Sequence, residues 1–122
     1  MRIFKNAWFQ RFARRENISD AALAETIARA VKGSVDTALG GNVIKQRIAR
    51  PRQGKSGGYR ALIVFRLGDR AFFVYGFAKK ERDNIRRDEL KVFKQAAKEL
   101  LALSDEQIEK LITVGGLTEV EL

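Results

Sequence analysis

The chain contains no histidine and no cysteine among its 122 residues. Without histidine it lacks the commonest general acid–base group, the commonest metal ligand and any Ser–His–Asp triad. Without cysteine it has no disulfides, thiolate zinc sites or cysteine nucleophile, although this says little about its compartment. The sequence therefore predicts neither a metal nor a cofactor, and any catalysis must rely on other side chains.

Long apolar runs are also missing. No stretch approaches the ~18 residues of a membrane span, and the N-terminus lacks the apolar segment of a signal peptide. We therefore expect a cytoplasmic protein with no membrane partner. Apolar residues make up 45% of the chain, including eight Phe, so a folded core is expected. The length predicts a single domain over residues 1–122, in which 103–122 are an extension of unknown role.

Positive charge is concentrated in residues 42–82. Eleven Lys or Arg residues stand there against two acidic residues, a net of +9 that equals the charge of the whole protein. Basic and acidic residues balance in the rest of the chain. A balanced scaffold with one cationic region indicates a polyanion as partner, because clustered cations neutralise phosphates and release counterions.

The apolar pattern predicts an α+β fold, in which an N-terminal helical hairpin packs on a small antiparallel sheet and further helices follow. Helices are predicted over residues 6–15, 20–32, 83 or 84 to 101, and 104–112. Strands are predicted over 2–5 (at a sheet edge), 42–49, 58–67 and 70–78, the last buried on both faces. Predicted helix N-caps are Asn6, Ser19, Ser104 and either Asp83 or Asn84. We predict a turn at 36–41, a loose tail or docking strand at 117–122, and a core position for Trp8, Phe9 and Phe12.

The strand-forming region is expected to bring cations together on one sheet surface. Lys45 and Arg47 alternate with apolar residues and therefore share a face, and Arg60 opens the next strand. Lys79, Lys80 and Arg82 follow the last of the predicted strands. Facing side chains of paired strands lie ~5 Å apart, so several cations can surround one phosphate, which Arg binds bidentately.

Such a cluster can cleave RNA without histidine. The 2′-hydroxyl of RNA can attack its own phosphodiester if a group takes the proton and cations stabilise the pentacoordinate phosphorus. A lysine held among other cations loses its proton more readily and can serve as the base. Tyr59 can stack a base, but a core position beside Phe65 is the slightly favoured interpretation. A binding surface without catalysis has the same composition.

Three motifs resemble the RelE/ParE toxin superfamily, in its HigB-like RelE branch. They are VIKQR at residues 43–47, GKSGGYR at 54–60 and FVYGFAKKERDNI at 73–85. The resemblance extends over the chain to about Leu101 and implies a RelE-like fold. It implies a type II toxin that cleaves mRNA in the ribosomal A site by attack of the 2′-hydroxyl, as a histidine-free and metal-independent endoribonuclease. Its implied partners are the ribosome, mRNA and a cognate helix-turn-helix antitoxin that is acidic on its contact surface.

The resemblance also assigns residues. The catalytic residues it implies are Lys45, Arg47, Arg60 and Lys80. The RNA-binding residues expected beside them are Arg50, Arg52, Lys55, Tyr59, Lys79 and Arg82, of which the first three would hold ribosomal RNA. A functional tyrosine of the RelE pattern corresponds here to Arg86. Its role is therefore taken by another residue such as Tyr59, or the mechanism differs.

Two other classes of function remain open from the sequence. The first is a ParE-like inhibitor that binds DNA gyrase without catalysis; the crowded cations count against it, because such an inhibitor does not need to surround a phosphate. The second is a non-catalytic nucleic-acid-binding module or a degenerate toxin. The endoribonuclease and the non-catalytic binding module differ in whether RNA is cut. The gyrase alternative predicts growth arrest with intact mRNA.

Overall fold

The structure is a computed structural model that describes residues 1–48, 58–82 and 84–122. Within these ranges the chain begins with a strand and two helices and then forms four strands, two helices and a short final strand. In chain order the elements are β1 (Arg2–Asn6), α1 (Ala7–Arg15), α2 (Asp20–Val31), β2 (Thr37–Gly40), β3 (Val43–Ile48), β4 (Tyr59–Arg66), β5 (Arg70–Ala78), α3 (Arg87–Leu101), α4 (Asp105–Thr113) and β6 (Leu117–Glu119). The predicted α+β class is confirmed.

The strands form one sheet in the order β2-β3-β4-β5-β1-β6. β1 runs parallel to β5, and the other neighbouring pairs are antiparallel. The prediction that residues 2–5 form an edge strand is wrong, because β6 pairs with β1 on its outer side. The final residues therefore include the docking strand that was one of the two alternatives for 117–122.

The predicted turn at 36–41 is also wrong in part, since Thr37–Gly40 forms an edge strand paired with β3. Gly41 and Asn42 both have positive φ and form a two-residue turn, which closes a tight hairpin between Gly40 and its partner Val43. This hairpin places Asp36 and Thr37 beside the basic residues of β3.

Local capping determines several helix starts. Asn6 Oδ1 accepts a hydrogen bond from Phe9 N at 2.7 Å, and Ser19 Oγ accepts one from Ala22 N at 3.1 Å. Ser104 and Gln107 form the predicted capping box. The prediction for the third helix is wrong by a few residues, because Arg86 is its N-cap residue and the helix begins at Arg87.

Helices cover both faces of the sheet. α1 and α2 bury Phe9, Phe12, Leu23 and Ile27 on one face, in the same core cluster as Phe73 of β5. α3 and α4 cover the other face over a second cluster that includes Phe72 and Val74 of β5, as its predicted burial on two sides requires. Trp8 departs from the core prediction in being 36% exposed, although its ring stacks on Phe12 at 5.3 Å between centroids. No helix in the described ranges combines the length and apolar character needed to cross a membrane.

Candidate functional site

A cleft of about 380 Å³ opens where β3 ends and β4 begins, and basic residues dominate its wall. Arg47 lies directly opposite Arg60 in the antiparallel register, and Lys45 is two residues before Arg47 on the same strand face. The lining residues of this cationic cleft are Asp36, Thr37, Lys45, Arg47, Arg60 and Lys79. The structure thus brings together three of the four predicted catalytic residues, with Lys79 beside them.

The strand that carries Lys45 and Arg47 is anchored from its opposite face by Gln46. This side chain is fully buried. Its Nε2 donates to the carbonyl oxygens of Thr26 at 3.3 Å and Ser34 at 3.2 Å. Its Oε1 accepts from Asp36 N at 2.6 Å. Because Gln46 points inward, its neighbours on either side point into the cleft, and the three hydrogen bonds hold the strand in this register.

The backbone of Arg47 is held as well. Its N–H donates to Asp36 Oδ2 at 2.6 Å, and its carbonyl oxygen accepts a hydrogen bond from Arg29. Asp36 also lies within 3.8 Å of Arg29 Nη1. The carboxylate on the cleft wall is therefore bonded to the strand backbone, which leaves the Arg47 guanidinium available to a ligand.

The basic residues of the cleft lack acidic partners. About half of the basic residues that the structure describes outside the cleft form ion pairs, such as Lys5 with Asp20 at 2.8 Å and Arg70 with Asp69 at 3.3 Å. Within residues 1–48, 58–82 and 84–122, no ion pair involves the four basic residues that line the cleft: Lys45, Arg47, Arg60 and Lys79. Four cations against the carboxylate of Asp36 give the lining a formal charge of +3. An anion is the ligand that such a surface favours.

Lys80 lies outside this lining. It is an exposed residue of the turn that follows β5, whereas Lys79 lines the cleft. Strand alternation explains the difference, because Lys79 is two residues beyond Phe77, which pairs with Arg60. The predicted catalytic role of Lys80 therefore has no support from its position, and Lys79 is the better-placed cation.

Tyr59 was predicted as an RNA-binding residue, and the structure contradicts that role. The residue is 1% exposed, its ring packs edge-on against Phe12 at 5.6 Å between centroids, and its hydroxyl donates to Glu16 Oε1 at 2.7 Å. No face of the ring is open to a base. Tyr59 instead has the core position that was the favoured alternative, and it does not replace the tyrosine missing at Arg86.

Arg82 and Arg86 are bound to other parts of the protein. Arg86 Nε donates to Asp88 Oδ1 at 3.2 Å on an exposed surface. The side chain of Arg82 forms an ion pair with Glu89 and donates to Tyr75 Oη at 3.1 Å. The hydrogen bond from Arg82 lowers the pKa of Glu89 below its usual value. Arg82 is therefore less accessible to RNA than predicted.

The predicted ribosomal RNA contacts Arg50, Arg52 and Lys55 lie outside the described residues.

The sequence analysis missed three residues at or beside the cleft. Asp36 and Thr37 fell in the predicted turn, and Asn84, whose Oδ1 accepts a hydrogen bond from Lys45 Nζ at 3.3 Å, was considered only as a helix cap. The Gly41-Asn42 dipeptide is the turn signal that could have revealed a hairpin, and with it the positions of Asp36 and Thr37.

The fold and the cleft together define a small α+β protein with an open, cationic face on its sheet. Over residues 1–120 the chain matches the family of the RelE toxin of the RelE/RelB toxin–antitoxin system, and it belongs to that family. The predicted resemblance to the RelE/ParE toxin superfamily is thus confirmed, and the match extends past Leu101 through α4 and β6. The assignment to the HigB-like branch stays a prediction. The chain is accordingly a toxin of a toxin–antitoxin system, with a cognate antitoxin as partner. No curated protein is similar enough to this chain to count as a match.

Proposed function

We propose that this toxin is a ribosome-dependent mRNA endonuclease that cuts at the cationic cleft. The observation that carries the proposal is the set of four cations without acidic partners around one cleft. Placing like charges together disfavours the empty state, and a bound phosphodiester relieves that repulsion. The cleft volume of about 380 Å³ is within the usual range for small-ligand sites and suits a single nucleotide phosphate.

The chemistry requires no metal and no histidine. The 2′-hydroxyl oxygen attacks the adjacent phosphorus, the bond to the 5′-oxygen of the next nucleotide breaks, and the products are a 2′,3′-cyclic phosphate and a 5′-hydroxyl. Arg47 and Arg60, which face each other across two strands, bind the non-bridging oxygens as negative charge increases on them. Lys45 is our candidate for the base that takes the 2′-proton, and Lys79 for the group that protonates the leaving oxygen.

The shape of the site supports a dependence on the ribosome. The cleft lies on an open sheet surface, and the described residues that line it include no aromatic ring on which a base could stack. A free RNA chain would therefore be held mainly through its phosphates and would not be bent into line for attack. The ribosome supplies an mRNA whose backbone is already held, which reduces the entropic cost of reaching that geometry.

Mapping of new mRNA 5′ ends after a short pulse of expression tests the proposal. Cells expressing the native toxin should acquire new ends within translated frames, and these should disappear when translation is stopped. Arg60→Ala should abolish them. Arg14→Ala, which removes the same charge from an exposed position of α1, is the matched control and should preserve them.

The other outcomes separate the competing functions. Growth arrest with intact mRNA would refute the nuclease proposal and direct the work to a gyrase supercoiling assay. Cleavage that continues when translation is blocked would refute only the dependence on the ribosome, and it would leave the nuclease activity in place. Equal cleavage by Arg60→Ala and the native toxin would show that the chemistry takes place elsewhere.

A further inference from the structure

We infer that Arg82 is a positioning residue that fixes Asn84 against Lys45, and that it is not a contact for RNA. The inference rests on the proposed function, because it assigns Arg82 a part in orienting the candidate base. It concerns residues 79–82 and 84–86, between the end of β5 and the start of α3, of which Lys79 lines the cationic cleft and Asn84 contacts Lys45.

The guanidinium of Arg82 is already occupied by three partners within the protein. Its Nε donates to the carbonyl oxygen of Asn84 at 2.7 Å, its Nη1 to Tyr75 Oη at 3.1 Å, and its Nη2 to Glu89 Oε1. Only 24% of the side chain is exposed. A phosphate that bound Arg82 bidentately would have to displace these partners, one of which is a carboxylate.

The group also rests on aromatic rings at the edge of the cleft. Its central carbon lies 5.8 Å from the centre of the Tyr75 ring and 5.9 Å from that of Phe77. Phe77 is the register partner of Arg60, so Arg82 packs beside the strand pair that carries the cleft. These contacts hold the plane of the guanidinium, and the plane in turn directs its three hydrogen bonds.

Asn84 connects the fixed guanidinium of Arg82 to Lys45. Its carbonyl oxygen is held by Arg82, and its Oδ1 accepts hydrogen bonds from Ile85 N at 2.9 Å and from Lys45 Nζ at 3.3 Å. One N–H of Lys45 is thereby directed at Asn84, so the rest of the amino group faces the cleft. In the neutral form this places the lone pair of Nζ away from Asn84, where it can accept the 2′-proton.

Arg82→Lys is the decisive variant, because lysine keeps the charge but cannot satisfy three partners with a planar fork. If Arg82 positions Asn84, the single-turnover cleavage rate on ribosome-bound mRNA should fall about 10- to 100-fold. The affinity for a non-cleavable 2′-O-methyl mRNA should change by less than about twofold, because no phosphate contact is lost. Arg87→Lys, the same exchange at an exposed position of α3, is the matched control and should behave as the native toxin.

Asn84→Ala should reproduce the loss of rate, and the double variant with Arg82→Lys should be no slower than either single variant, because both act through one contact. The side-chain amino signal of Lys45 in an NMR spectrum should shift in each of these variants but not in Arg87→Lys. Far-UV circular dichroism confirms that each variant is folded. This spectroscopic arm does not depend on activity, so it tests the inference even if the native toxin cuts no RNA and the proposed function fails.

Three results would overturn the inference. The first is a cleavage rate in Arg82→Lys close to that of the native toxin. The second is a weaker RNA affinity with a flatter salt dependence, which would make Arg82 a phosphate contact. The third is a Lys45 signal that is identical in the native toxin and in folded Arg82→Lys, which would show that Arg82 does not act through Asn84.

Discussion

Replacing Gln46 tests whether a buried polar side chain holds the strand that carries Lys45 and Arg47. Gln46→Met keeps the approximate size of the side chain and removes its three hydrogen bonds, to Asp36 N and to the carbonyl oxygens of Thr26 and Ser34. At ~1 kcal/mol for each bond, the free energy of unfolding should fall by about 3 kcal/mol. Asp36 and Ser34 are exposed residues, so water can reach their backbone groups. Thr26 is buried, so water cannot replace the bond to its carbonyl oxygen, and about 3 kcal/mol is therefore the smallest loss expected.

Gln10→Met is the matched control for this change. In the part of the chain that the structure describes, Gln10 Oε1 is buried and has no hydrogen-bond partner. The same exchange should therefore be neutral or slightly stabilising there, because it removes a buried polar atom that makes no bond.

Urea unfolding followed by circular dichroism gives both free energies under one protocol. The reasoning requires Gln46→Met to be clearly less stable than Gln10→Met. Equal midpoints for the two variants, or a stabilised Gln46→Met, would refute the claim that the Gln46 hydrogen bonds hold β3. A changed slope with denaturant would instead show that the compactness of one state had changed.

Three more measurements test the packing, the acid stability and the cleft. Gly76→Ala should destabilise the fold by about 1–3 kcal/mol in urea unfolding, because an added Cβ would lie 2.6 Å from Cε2 of Phe12; an unchanged midpoint would contradict this packing. Burial raises the pKa of Asp20, but hydrogen bonds from Lys5 and a tail amide outweigh burial and leave the pKa below its usual value. The ionised form of Asp20 therefore contributes stability above the unfolded pKa of ~3.9, and that stability is lost as the pH falls through the lower folded pKa. Asp20→Asn should therefore make the free energy of unfolding fall less steeply as the pH is lowered. An equally steep fall would count against a stabilising pair of Asp20 and Lys5. Arg60→Ala should reduce the slope of log affinity for single-stranded RNA against log salt by about 0.7 in filter binding, and an unchanged slope would show that Arg60 makes no phosphate contact.

Local signals predicted much of the fold, because they involve residues close together in the chain. Caps such as Asn6 and Ser19 satisfy backbone groups within three residues, so their helices begin where the sequence predicts. The alternation around Gln46 likewise places Lys45 and Arg47 on one face. One error came where the outcome depends on a distant segment, because β1 is internal only when β6 returns from the C-terminus. The error at residues 37–40 was local, because these residues pair with β3 across the two-residue turn at Gly41 and Asn42.

The sequence by itself determined that this protein carries one cationic sheet region, built without histidine or cysteine, and its motifs already indicated the toxin family. Only the tertiary structure decided which cations lie together. Strand register sets Arg47 opposite Arg60 and places Lys79, not Lys80, in the cleft. Packing buries Tyr59 and binds Arg82 to Glu89. The physical reason is that charge and alternation are properties of the local chain, whereas access to a ligand depends on which side chains and carboxylates distant segments bring alongside.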